Sequence, residues 1–231
     1  MLEKLREEVL AANLELVRRG LVLYTFGNAS GIDRTSGLVV IKPSGVAYEA
    51  MKPADLVVTD LLGNIVEGSL RPSTDLETHL EIYRAFAGVG GVVHTHSPHA
   101  TAWAQARKPI PCFGTTHADY FHGPIPVTEM LTREEVDAGY EKNTGVVIVR
   151  RFAGMDPLAT PGVLVAGHAQ FAWGETPAKA AHNAVVLEYC AAMALETLAA
   201  NPQAEPLPAH VLDKHFYRKH GPAATYGQKR D

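Results

Sequence analysis

His94-Thr95-His96 closes the apolar run Val89-Gly90-Gly91-Val92-Val93. Alternate side chains of a β-strand share a face, so at a strand end this tripeptide projects two imidazoles to one side. Two neutral ring nitrogens so placed can ligate one metal ion. A second apolar run, Val163-Leu164-Val165-Ala166-Gly167, ends in His168, a candidate third imidazole. Three protein ligands with one open position is the plan of a catalytic rather than a structural zinc site. For a bare His-x-His the bland reading is a set of hydrogen-bonded surface histidines. The flanking residues weigh against it.

Three segments of small residues offer groups for an anion. Gly27-Asn28 is followed by Ser30, Lys42-Pro43-Ser44-Gly45 follows a strand pattern, and Arg71-Pro72-Ser73-Thr74-Asp75 precedes a helical one. Backbone N–H groups at glycine turns and helix starts bind phosphate, and hydroxyls and amides add donors. Each segment alone is commonly just a turn, but three beside a metal triad point to a phosphate. Neither a Walker loop nor a G-x-G-x-x-G following a strand is present, so a dinucleotide site is not supported. Asp75 admits three readings: a cap for the helix that follows, an oxygen for the metal, or a base. Thr115-Thr116-His117-Ala118-Asp119-Tyr120 is dense in proton-transfer groups. So is the chain end, with His215, Tyr217, Arg218, Lys219, His220 and Tyr226. Spacing does not choose among these, and a solvated tail is the default for such an end.

The elements that must position these residues alternate along 231 residues, a length that suits one α/β domain. Residues 1–19 read as an amphipathic helix, not a secretory signal. Strands are expected at 21–24, within 37–43, at 56–59 and 65–67 as a hairpin around Leu62-Gly63-Asn64, at 89–93 and at 146–149. Helices are expected at 78–86, 99–107 and 133–144, the last capped by Thr132 with Glu135 three residues on. Thr176-Pro177 opens an Ala-rich helix to about residue 200. Pro202, Pro206 and Pro208 mark a loop. No linker divides the chain. The expected fold class is α/β: a single domain with a central, mostly antiparallel sheet and helices on both faces.

Hydrophobic residues make up 46% and charged residues 20%, the balance of an ordinary soluble protein. A net charge of −4 with no basic stripe argues against nucleic acid. No apolar stretch is expected to reach the roughly 20 residues of a membrane span, so no membrane partner is expected either. Cys112 and Cys190 match no zinc or redox spacing and read as free thiols in a reducing cytoplasm. Eleven histidines is a high count and fits a metal or acid–base site.

Taken together, the segments resemble the class II aldolase/epimerase family. The motifs are Gly27-Asn28-Ala29-Ser30, Lys42-Pro43-Ser44-Gly45, Pro72-Ser73-Thr74-Asp75, His94-Thr95-His96-Ser97 and Gly114-Thr115-Thr116-His117-Ala118-Asp119-Tyr120. Arg218-Lys219-His220-Gly221 and Tyr226-Gly227-Gln228 close the series. The threonine-rich Asp119 segment and the tail resemble the pentulose-phosphate 4-epimerase branch, whereas His-x-His is shared with the aldolases. The resemblance implies that His94, His96 and His168 bind a divalent metal, usually zinc, with Asp75 beside it or in its coordination sphere. It implies that Gly27, Asn28, Ser44, Gly45, Ser73 and Thr74 hold the substrate, chiefly its phosphate. Family aldolases generally carry Glu where Asp75 stands and use it as a base, so the shorter carboxylate favours epimerisation. Thr74 replaces a common Ser and keeps the hydroxyl. Asp119 and Tyr226 become the proton-transfer pair. The resemblance further implies that they reach a neighbouring subunit's metal site in a fourfold-symmetric homotetramer, with a tail at about 209–231 closing over the active site.

The implied activity is interconversion of L-ribulose 5-phosphate and D-xylulose 5-phosphate. A sugar-phosphate aldolase, or a family member with a degenerate, non-catalytic metal site, is the alternative. The C4–H of ribulose 5-phosphate is not α to the C2 carbonyl, so enolisation does not invert it. Transient oxidation needs a nicotinamide, for which no site is visible. What remains is cleavage of C3–C4, rotation of the aldehyde, and re-addition to its other face, with a Lewis acid stabilising the enediolate.

Overall fold

The computed structural model describes residues 2–221 and 224–225. Seven strands form one sheet: β1 (Asn28–Asp33), β2 (Leu38–Ile41), β3 (Val57–Thr59), β4 (Ile65–Glu67), β5 (Gly91–Thr95), β6 (Gly162–Leu164) and β7 (Gln170–Gly174). Their order is β4-β3-β2-β1-β5-β7-β6, and every neighbouring pair is antiparallel. Seven helices accompany them: α1 (Glu3–Arg18), α2 (Leu76–Ala85), α3 (Pro98–Ala106), α4 (Thr115–Ala118), α5 (Arg133–Arg151), α6 (Pro177–Ala200) and α7 (Ala209–Tyr217).

Period-two alternation divides the strand residues between two cores. Ile32, Val39, Val92, Phe171 and Trp173 meet Leu80 and Tyr83 of α2 and Ile148 of α5. Ala29, Val93 and Ala172 face the other way, onto Ala12 and Leu16 of α1 and Ala180 and Ala184 of α6. The helices therefore cover both faces, as the α/β reading expected. A third cluster joins α3 and α6 through Trp103, Phe121 and Leu187.

The structure corrects several local readings. Residues 21–24 are not a strand. They form a bend after α1, and Leu23 and Tyr24 are exposed. Residues 146–149 belong to α5, where Val147 and Ile148 are buried. β-Branched residues weaken a helix only slightly, and burial against α2 outweighs that preference. The 163–167 run is a strand only to Leu164, so His168 sits in the turn to β7, where its N–H donates to the Val165 carbonyl at 3.0 Å. β7 itself is absent from the sequence reading. Contrary to the reading of the apolar runs, α6 is long and apolar enough by composition to cross a membrane. Here it lies against β5, β7 and α1. The expected Thr132 cap holds, accepting from the Glu135 N–H in a capping box, and at the expected start of α6 Thr176 also accepts from the Lys179 N–H.

Candidate metal centre and phosphate cleft

The register of β1 against β5 places Asn28 opposite His94, both on the sheet face that α2 covers. His96 follows on the same side, two residues along. The β6–β7 turn brings His168 to them. His94 Nε2 lies 3.0 Å from His96 Nε2, and His168 Nε2 lies 3.2 Å from His96 Nε2. The three ligand atoms all fall within 4.8 Å of one another. Nitrogens bound tetrahedrally to zinc at 2.0–2.1 Å stand about 3.3 Å apart, close to these separations.

Hydrogen bonds and burial prepare these rings to act as neutral donors. His94 Nδ1–H donates to the Gln170 carbonyl at 2.9 Å, leaving the Nε2 lone pair for the centre. His168 Nδ1 lies 3.3 Å from the Tyr140 hydroxyl. Burial, reinforced by His94 and His96, pushes His168 down to about 4. Burial likewise lowers His96, with His94 adding to it. Three imidazole nitrogens converging on one point at these separations form the donor set of a divalent metal, so the residues fit one.

Asp75 stands beside the triad but outside the group of mutually close ligand atoms. It precedes α2 and makes no side-chain cap bond. Its Oδ2 accepts from Asn28 Nδ2 at 2.6 Å, and the same amide donates to Ser73 Oγ at 3.0 Å. Burial resists ionisation of Asp75, but His94, His79 and the Asn28 hydrogen bond outweigh it and hold the carboxyl below its ordinary range. Behind it, buried Ser30 bonds both His79 Nδ1 and the Tyr83 hydroxyl at 2.7 Å.

The three small-residue segments meet at the same place. The Ser44 N–H donates to the Arg71 carbonyl and the Ser73 N–H to the Lys42 carbonyl, each at 2.9 Å, tying two of them together. A cleft of about 580 Å³ is lined by Gly27, Asn28, Ser44, Gly45, Ser73, Thr74, Asp75, His94, His96 and His168. All ten expected metal and substrate residues are thus gathered in one cavity. Gly27 admits no side chain: its φ is +110°, and a Cβ would stand 2.7 Å from the His94 carbonyl oxygen.

The cleft also holds residues that sequence reasoning did not single out as site members. Lys42 is 2% exposed, with Nζ 4.8 Å from the centre of the Tyr48 ring, and burial lowers its pKa. A lysine in a strand-end motif signals no burial in advance. Tyr140 and Glu141 enter from α5, which breaks at Gly139 with φ 139° and ψ 100°.

Asp119 does not line this cleft. It follows α4 and is bound by the tail: Arg218 at 2.8 and 3.1 Å, His215 at 3.0 Å and Lys219 at 3.3 Å. Burial alone raises Asp119, but these partners prevail and keep it below its ordinary value. Within the tail, residues Ala209–Tyr217 form α7, packed on α4, and none of the tail's described residues lines its own chain's cleft. Tyr226 lies outside the described residues.

The chain is similar to several solved structures. An L-fuculose 1-phosphate aldolase is 27% identical at a TM-score of 0.81, with 92% of this chain and 94% of that one covered. YgbL from Klebsiella pneumoniae, described as a putative aldolase/epimerase/decarboxylase, is 25% identical at a TM-score of 0.73, covering 93% and 99%. An L-fuculose-1-phosphate aldolase from Thermus thermophilus, at 24% identity and a TM-score of 0.68, covers 87% and 99% and shares the fold. The family model for the Class II Aldolase and Adducin N-terminal domain matches residues 7–195, a stretch that includes the histidine triad and every segment of the cleft, and the chain belongs to that family.

Proposed function

We propose that the protein is a metal-dependent 4-epimerase of the cytoplasm that interconverts L-ribulose 5-phosphate and D-xylulose 5-phosphate. The observation that carries this reading is the meeting of the histidine triad with the Ser44-Gly45 and Ser73-Thr74 turns in one cleft. A divalent cation at the triad, zinc in this proposal, supplies Lewis-acid stabilisation of developing negative charge. Lys42 brings a positive charge to the anion site, and the hydroxyls of Ser44, Ser73 and Thr74 add donors. Asn28 orients Asp75 and keeps its ionised carboxylate beside the reacting carbons.

Breaking C3–C4 leaves a three-carbon enediolate and glycolaldehyde phosphate, and re-addition to the aldehyde's other face inverts C4. A proton must leave the C4 oxygen on one face and return on the other. Asp119 and Tyr226 serve those two faces in this reading. Because Asp119 lies away from its own chain's cleft, the proposal assigns it to a neighbouring subunit's cleft in a homotetramer, along with the tail.

The similarity to an L-fuculose 1-phosphate aldolase favours a second reading, aldol cleavage with release of both fragments. Product analysis separates the two. Metal-loaded protein incubated with L-ribulose 5-phosphate is expected to yield D-xylulose 5-phosphate with no accumulation of dihydroxyacetone or glycolaldehyde phosphate. Release of those fragments, or turnover of L-fuculose 1-phosphate alone, would support the aldolase.

A further inference from the structure

Outside the cleft, on the opposite face of the sheet, one carboxylate organises the ends of the elements that carry the histidines. α3 begins directly after His96, and Ser97, its cap residue, makes no side-chain cap bond to it. Glu188 of α6 takes that place. Its Oε1 accepts from the His99 N–H at 3.0 Å and its Oε2 from the Ala100 N–H at 2.9 Å, at the positive end of the helix. The Ser97 hydroxyl donates to Glu188 Oε2 at 2.7 Å.

Gln170 continues the connection. Its amide Nε2 donates to Ser97 Oγ at 2.6 Å and to Thr95 Oγ1 at 2.9 Å, straddling His96 in the sequence. The carbonyl of the same residue accepts from His94 Nδ1. Ser97, Thr95 and Gln170 are all 0% exposed, and Gln170 Oε1 has no partner among the described residues. The far end of α3 reaches the third ligand, since the Ala104 carbonyl accepts from the Gly167 N–H at 2.8 Å, next to His168.

We propose that Glu188 is a positioning residue for the metal centre, acting on His94 and His96 through Ser97 and Gln170 and on His168 through α3. This rests on the metal-binding reading of the triad. A partner bonded directly to a ligating ring fixes its orientation, and losing one typically costs about 10–100-fold in metal affinity; Glu188 acts one hydrogen bond further out, so the low end of that range applies. In Glu188→Gln an amide N–H₂ replaces one acceptor and faces backbone N–H groups.

The test measures zinc affinity by competition with a chromogenic chelator and the visible absorption of the Co²⁺-loaded protein. For Glu188→Gln the zinc Kd is expected to rise about 10-fold and the Co²⁺ bands to shift in energy or intensity. Wild-type affinity and an unchanged Co²⁺ spectrum would overturn the proposal. If Glu188→Gln does not fold, Ser97→Ala decides. It leaves the carboxylate on α3 and removes the connection to Gln170, and unchanged readouts there would equally overturn it. A wild-type chain that binds neither Zn²⁺ nor Co²⁺ would instead sink the metal reading.

Discussion

His96 is the imidazole on which the other two converge, 3.0 Å from one ring nitrogen and 3.2 Å from the other. Replacing it by asparagine removes the middle donor and leaves His94 and His168 without a common partner. His96→Asn is expected to lose stoichiometric metal, read by elemental analysis, together with most of its activity. Retention of one metal per chain would show that the ion sits elsewhere. At this scale the sequence was informative because the chemistry is periodic. His-x-His on a strand, and three turns rich in Gly, Ser and Thr, declare themselves by spacing. Lys42 did not, because nothing in Lys-Pro-Ser-Gly tells that the amine will be buried under Tyr48. The Asn28 bridge between Ser73 and Asp75 also needed the fold, since its partners stand 45 and 47 residues away.

Elements decide how close the cleft's walls come. Gly27 lies where the segment after α1 crosses the end of β5. A methyl group there meets the His94 carbonyl at 2.7 Å and Val22 Cγ1 at 2.9 Å. Gly27→Ala is therefore expected to cost about 1–3 kcal/mol of stability from its backbone conformation, and to weaken metal binding by moving His94. A thermal midpoint and zinc affinity equal to wild type would contradict this. The misread elements share a cause. Val146, Val147, Ile148 and Val149 have strand-forming side chains, yet α2 offers them a helical seat, and tertiary packing overrides a preference worth only tenths of a kcal/mol per residue. Residues 21–24 look like a strand but find no partner in the sheet, because β1 begins later, at Asn28. The kink at Gly139, which turns Tyr140 and Glu141 into the cleft, has no local signature beyond the glycine.

The whole molecule carries histidines that folding strips of their protons. His79, entirely buried, is pushed down to about 3 from 6.5, and burial pushes His117 to about 4 despite its hydrogen bond to the Gly123 carbonyl. Their folded values lie below the unfolded one. Between roughly pH 4 and 6.5 the unfolded chain therefore binds more protons than the folded chain, and stability falls as pH falls. The metal-free protein is expected to lose thermal midpoint steadily from pH 7 to 5, and a midpoint that holds or rises would contradict the assignment. Fold class was readable from the alternation of periods along the chain. Where the tail helix docks was not, because Asp119, Arg218 and His215 meet across some 96 to 99 residues, away from their own chain's cleft.

The proposed inversion breaks and remakes C3–C4, with no carbon-bound hydrogen removed. Metal-loaded protein acting on L-ribulose 5-phosphate in D₂O tests this directly, with the product examined by NMR. The expected product is D-xylulose 5-phosphate that keeps its original hydrogens at C3 and C4. Deuterium at C4, or no D-xylulose 5-phosphate at all, would contradict the account.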